Sequence, residues 1–557
     1  MSDQQVHFEV HVRQSGSWTV QKVGEDKTSS VETAKQLKTN RNVDAVKVLQ
    51  VSFDSSDPVF HDKEIYFDGD REQAGKKNDV DLIEPVCKKL DDIYRPEARR
   101  AIWSLLQKPM QGWQITPLEL LHHQGHLQRL NDTGQILQGA VQRVAISQVQ
   151  KTGQKVNDRV LDLYSFANEA LGELKKLTIE DNIPDIEDGN LIRLSKKLKE
   201  DPNWRRTFMM ALARFFHSYK TVDDKFKKVL EWLGLYDDPR VLEILDRYLA
   251  DFLSQSQYLQ TILGEEENLG DAMLGLVDFI RGSRKFTPDM HKGAIRINAL
   301  LRDQFLPETR AALSHRFLET LCGNKSFVAN NPFKSIQYHS RLLARMHIAD
   351  GEHVGGEEAV EALKDRCERM TGPTTIATIL GNENYTLDRA EKLLKVSEGV
   401  IGGVNKRTIA NYLLPVLDSS HNIKLIMEAP VSPLATVARL RNLQIQAIKS
   451  GFQIYYEEKI TTALDDLAVD LINNKEILQS FSRNAKDNTQ LGLNLLQLIA
   501  SDKLTQPACE KLVRQYARKT IASNQFMEAL EEKAKQGAAQ VEFFKSFYAA
   551  LEKTGIR

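Results

Sequence analysis

Phe208-Met209-Met210-Ala211-Leu212-Ala213-Arg214-Phe215-Phe216-His217-Ser218-Tyr219 is the stretch that decides the fold. Phe208, Leu212, Phe215 and Tyr219 recur at steps of three and four, which places them on one face of a helix. The same period returns far away, at Ile460, Leu464, Leu467 and Leu471. From about Val80 to the end of the chain, strand patterns all but vanish. Base rates of helix length fill such a region with roughly twenty helices.

Helix starts carry a recurring signal. Thr116-Pro117, Asp201-Pro202, Asp238-Pro239, Thr287-Pro288 and Asn331-Pro332 each place a capping side chain before a proline. The side-chain oxygen accepts from the orphan amides of the first turn, and proline at the first helical position loses no needed donor. The last four pairs lie 37, 49 and 44 residues apart, near the period of two-helix solenoid units. The intervening text does not repeat, so the reading is an irregular, solenoid-like helical stack.

Upstream the period changes. Val6, Phe8, Val10 and Val12 alternate with His7, Glu9, His11 and Arg13, the mark of a strand with one buried face. A turn at 14–17 leads to a second strand through Trp18 and Val20. Ser29 and Glu32 have capping-box spacing and open a helix that buries Ala34 and Leu37. Val46–Phe53 and Phe60–Phe67 read as a hairpin. The fold class is therefore mainly α, a large irregular helical region preceded by a small two-layer α/β module with the order strand-strand-helix-strand-strand. The expected divisions are a module at 1–68, a polar linker at 69–81, a helical domain at 82–350 and a C-terminal helical domain at 351–557.

Between Thr133 and Leu177 there is no proline, and an apolar or small stripe runs through Leu137, Val141, Ala145, Val149, Val156, Val160, Tyr164, Ala167, Leu171 and Leu174. One long helix is expected, with Gly153 as the point at which it would break. Its stripe either packs within its own domain or forms a coiled-coil seam for a homodimer through the 133–177 helix.

Composition narrows the function classes. In 557 residues, 75 Lys and Arg face 76 Asp and Glu, a formal charge of −1. That balance argues against wholesale nucleic-acid or anionic-membrane binding. There is no run long and apolar enough to span a membrane, and the first thirty residues lack the apolar block of a signal peptide. Four cysteines, Cys87, Cys322, Cys367 and Cys509, are at least 45 residues apart, which suits a reducing, cytoplasmic setting. No phosphate-binding glycine loop, dinucleotide fingerprint, His-Glu-x-x-His or Gly-x-Ser-x-Gly occurs, so no cofactor and no catalytic residue is assigned.

Three clusters remain. His122 and His126 are four apart, the helical spacing a metal can bridge. The loop from His347 to Glu358 gathers His347, Asp350, Glu352 and His353 among glycines, and its bland reading is a solvated connection. No metal is assigned to either. The third cluster, Arg281, Arg284, Lys285, Lys292, Arg296 and Arg302, is a basic stretch containing one acid, Asp289. It is the expected contact surface for an acidic protein partner, with a solvated basic face as the alternative.

The expected function is a non-enzymatic cytoplasmic adaptor or regulatory scaffold that binds other proteins through helical surfaces, with the N-terminal module as a second docking site. The alternatives are an RNA- or nucleotide-binding regulator using 281–302 and a metal-dependent helical enzyme.

Overall fold

A computed structural model of the chain describes residues 5–14, 17–24, 26–39, 43, 45–54, 57–69, 83–179, 183–286, 292–348, 352–381, 383 and 385–556. The chain forms two compact units. One takes the residues up to Ile83 together with Arg143–Val156, and the other takes Glu84–Gln142 with Asn157–Arg557.

In the first unit, strands β1 (Gln5–Gln14), β2 (Ser17–Gly24), β3 (Ala45–Asp54) and β4 (Asp57–Gly69) form an antiparallel sheet in the order β2-β1-β3-β4. Phe8, Val10 and Val12 of β1 are buried with Val46 and Val48 of β3, and Val10 sits opposite Val48 in the register. Helix Lys27–Lys38 covers these central strands and contributes fully buried Ala34. The strand-strand-helix-strand-strand order is as the alternation predicts. The helix start differs by one turn: Asp26 is the cap, and its carboxylate accepts from Ser29 N at 2.7 Å. Ser29 therefore lies inside the first turn, because an aspartate three residues earlier meets the same orphan amides. The linker expected at 69–81 falls almost wholly outside the described residues. At its far end, Ile83 donates to Ser147 Oγ and accepts from Gln148 Nε2, so both its backbone groups are satisfied.

The described residues contain 27 α-helices. None is long and apolar enough to cross a membrane. Of the five capping pairs, Thr116, Asp238 and Asn331 cap helices whose first residue is the following proline. Asp201 instead accepts from Asn203 N and Thr207 Oγ1, and the helix starts at Trp204. Thr287-Pro288 lies outside the described residues. The stretch 133–177 is two helices rather than one, Gln135–Thr152 and Val156–Ile179, parted at the expected break point, where Gly153 takes φ +68°. A left-handed residue cannot continue a right-handed helix, and glycine adopts that conformation without a Cβ penalty.

In the second unit, helix Pro239–Leu253 runs through the core. Eleven of its fifteen residues are buried, on all sides of the helix. Two of the eleven are acids. Asp246 accepts from Glu308 N and Thr309 N, each at 2.8 Å, and so caps helix Pro307–Cys322 from outside. Asp251 accepts from Leu118 N at 3.1 Å in helix Pro117–His122 and from Arg99 Nε at 2.8 Å. Arg99, 1 % exposed, also donates to Glu308 at 2.7 Å and to the Tyr94 carbonyl at 2.6 Å. Two carboxylates keep its guanidinium charged despite burial. Burial pushes Asp246 up to about 6.

The same device recurs downstream. Asp465, on helix Ile454–Asn474, accepts from Ala508 N, Cys509 N and Thr505 Oγ1 and so caps helix Ala508–Ile521. Two apolar cores run through the unit. One extends from Leu106 to Cys367 and adds Ile401; the other contains Ile336 and extends from Ile376 to Ile556.

Removing one partner of a buried ion pair strands the other. Arg99→Met should destabilise the fold by about 3–5 kcal/mol, read as a shift in denaturation midpoint. Arg99→Lys should not restore it, because an ammonium cannot reproduce the planar fork. A loss below about 1 kcal/mol, the range of an exposed pair, would contradict this assignment.

Candidate functional site

The helix that Asp251 caps ends at His122. Thr116 and Glu119 form a reciprocal capping box at its start, and His123, with φ −121° and ψ 116°, breaks the chain before helix Gln124–Asp132 begins. That break separates the two histidines whose spacing suggested a shared face. His122 Nδ1 donates to the Leu118 carbonyl at 2.9 Å, and its ring lies 5.2 Å from Tyr94. His126 instead meets His123, at 4.4 Å between ring centroids, and His217, at 5.1 Å. His123 and His217 are stacked at 4.6 Å. His217 is the C-cap of helix Trp204–Phe216, so two segments far apart in sequence supply the cluster.

Each of the three offers a ring nitrogen, and these atoms all lie within 4.8 Å of one another. His126 Nε2 and His217 Nδ1 stand 3.4 Å apart. His126 is buried, His123 half-buried and His217 exposed. Burial, helped by the neighbouring imidazoles and by Lys225, holds His126 down to about 3 and His123 to about 4. Burial likewise holds His122 at about 3. The rings of His122, His123 and His126 are therefore neutral at pH 7. His123 Nδ1 is buried with no hydrogen-bond partner in the protein. Gly125 makes room for that ring: a Cβ there would stand 3.2 Å from His123 Cε1.

Among the described residues this is the one group of three His, Cys or carboxylate side chains within coordinating distance. The 347–358 loop is organised differently. His347 and His353 face each other in an isolated antiparallel bridge, with Ile348 N donating to Glu352 O at 2.7 Å and Val354 N to Met346 O at 2.9 Å. Their rings meet edge to face at 5.5 Å, Glu352 is exposed, and buried Val354 anchors the turn in the first core. Asp350 lies outside the described residues.

Two of the six basic residues, Arg284 and Arg296, are tied into the fold. Arg284 is buried, donating to the Leu263 carbonyl at 3.0 Å and to Glu266 at 2.8 Å. Its guanidinium lies against Gly275, where a Cβ would stand 2.0 Å from Nη1. With Glu266 it lines a cleft of about 640 Å³ floored by Leu259, Leu263, Met273 and Phe327. Arg296 closes the C-terminal end of helix Val222–Leu235, binding the carbonyls of Leu233 and Tyr236 and the side chain of Asp237. Arg281 is exposed and donates to the Arg345 carbonyl at 2.8 Å. Arg302 pairs with Asp303 next to it, while Lys285 and Lys292 are exposed. Asp289 lies outside the described residues.

A further surface has no counterpart in the sequence reading. Lys406, in the first turn of helix Gly403–Asp418, bonds the carbonyl of Ser450 at the end of helix Pro433–Lys449. Helix Ile454–Asn474 starts four residues later. This corner carries Val404, Ile448, Ile454 and Tyr455, exposed by 61, 51, 76 and 57 %. Arg407, Lys449 and Lys459 are exposed around it, with the Lys459 ammonium 4.6 Å from the Tyr455 ring centroid.

No protein-family model, curated protein or solved structure matches the chain. The geometry above is therefore the basis for assigning a role.

Arg284 and Lys285 make a direct contrast. Gly275→Ala drives a methyl into the Arg284 guanidinium and should cost about 1–3 kcal/mol of stability. Lys285→Ala and Lys292→Ala should stay within about 0.5 kcal/mol. Thermal or chemical unfolding of the three variants checks this, and a neutral Gly275→Ala would contradict the packing described for Arg284.

Proposed function

We propose that this chain is a non-enzymatic, cytoplasmic scaffold that docks other proteins, and that its main docking surface is the corner formed by Val404, Ile448, Ile454 and Tyr455. The observation that carries the reading is that Val404, Ile448, Ile454 and Tyr455 are each more than half exposed, near three helix ends of which two are joined by the Lys406–Ser450 bond. Isolated exposed apolar residues are ordinary on a protein surface; a cluster rimmed by polar groups marks an interaction site. Covering an isoleucine-sized side chain contributes about 1.5–3 kcal/mol, so the four anchors together work against the freedom a partner loses on docking. Arg407, Lys449 and Lys459 outnumber the exposed acids beside them, Glu458 and Asp418. The fitting partner is a protein segment with an apolar anchor flanked by aspartate or glutamate. The N-terminal sheet supports a second contact, since β2 and β4 are its edge strands and an edge accepts an added strand.

The test compares the wild-type chain with Ile454→Glu/Tyr455→Ala and with Ile179→Glu, a control at an isolated residue 83 % exposed. Partners recovered from native extract are quantified by mass spectrometry after nuclease treatment. The corner variant should lose its acidic protein partners at least tenfold, about 1.4 kcal/mol, while the control keeps them. Equal recovery with both variants contradicts the reading. So does binding that nuclease abolishes, which would favour RNA, or corner-dependent self-association in place of a partner.

A further inference from the structure

We propose that His123, His126 and His217 bind one divalent transition-metal ion, zinc being the best fit, with a fourth coordination position on the solvent side beside His217. This is independent of the docking surface, which lies in other helices.

Donor type and spacing point to the metal class. An all-imidazole set suits zinc, nickel or copper, whereas magnesium and calcium take oxygen ligands. Zinc–nitrogen bonds of about 2.0–2.1 Å in a tetrahedral site place two donor nitrogens about 3.3 Å apart. His126 Nε2 and His217 Nδ1 already stand at 3.4 Å, and the third ring supplies a nitrogen within 4.8 Å of both. Coordination turns the stacked His123 and His217 rings so that their in-plane lone pairs converge on the ion.

A second observation points to a ligand. His123 Nδ1 is buried and meets no donor or acceptor of the protein. Stacked rings alone leave such a nitrogen unsatisfied, which is unfavourable, and a metal ion takes up its lone pair. Gly125 permits this placement, since any larger residue would press on the His123 ring.

The surrounding cations do not close the site. Lys225 is held by Glu119 at 2.5 Å and by the Gln114 carbonyl at 2.7 Å. Arg214 binds the Ile183 carbonyl and Asp185. Arg129 lies 4.6 Å from the Trp113 ring centroid. The exposure of His217 gives the ion a path in. Three protein ligands with one accessible position make an open zinc site, in contrast to a closed structural one.

The experiment strips the full-length chain with a chelator and titrates zinc chloride by calorimetry, with cobalt(II) as a spectroscopic substitute. One equivalent should bind, the cobalt form should show the visible absorption of a tetrahedral site, and zinc should raise the unfolding temperature. His217→Ala, at an exposed position that the fold tolerates, should weaken binding more than about 100-fold, the loss already reached when only an outer partner of a ligand is removed. His126→Gln should do the same, and His315→Ala, at an exposed histidine paired with Glu319, should change nothing. Binding that is not saturable at one equivalent, or that is unchanged in His217→Ala, overturns the proposal.

Discussion

Two carboxylates on one buried helix hold the first core in register. A helix N-terminus leaves amides without partners, and burying such an end is unfavourable unless something accepts from them. Helices Pro117–His122 and Pro307–Cys322 both direct their first turns inward. Asp251 and Asp246, one and a half turns apart on Pro239–Leu253, meet those turns. Arg99 joins Asp251 to Glu308 and so ties Pro239–Leu253 to the capped helix Pro307–Cys322. Charge-assisted bonds at a positive helix end fix position and direction together. Apolar packing alone would let these helices slide. Asp465 repeats the solution at Ala508–Ile521, so the device is a construction rule of the helical region.

This framework also sets the histidine geometry. Asp251 fixes the start of Pro117–His122, and Thr116 with Glu119 fixes its first turn. The helix ends six residues in, at the His123 break, which turns His123 and His126 toward the end of Trp204–Phe216. The hub helix therefore positions a cluster to which it contributes no side chain. The apolar corner belongs to the second core, where Lys406 ties two helix ends together beside the start of a third. Recognition through that corner and coordination at the histidines are separable properties of one helical body.

Much of the architecture was legible because it rests on local periodicity. The alternation in β1, the helical stripe at Ile460–Leu471 and the proline-preceded caps at Thr116, Asp238 and Asn331 each report on a few neighbouring residues. The sites were less legible, because they depend on where distant segments meet. His122 and His126 share a face only on a helix that continues; a single extended residue at His123 gives each a different partner. His217, read as part of an amphipathic helix, carries no local sign that it reaches two other histidines. Arg284 and Arg296 look like surface charge in sequence, and only the carbonyls and acids around them show that they hold helix ends. A hint was available at Gly125 and Gly275, since glycine within a helical pattern often marks close approach by another group. In this chain both make room for a side chain, His123 in one case and Arg284 in the other.

The central claim is that Asp246 and Asp251 lock the inward-facing helix starts. Native-state hydrogen exchange tests it most directly, at the amides of Leu118, Glu308 and Thr309. First-turn amides of an exposed helix exchange through local fraying, whereas amides bonded inside a core exchange only when the whole unit opens. These three should exchange as slowly as the middle of Pro239–Leu253 and lose protection together as denaturant is raised. Exchange at the rate of frayed surface helix ends would contradict the account.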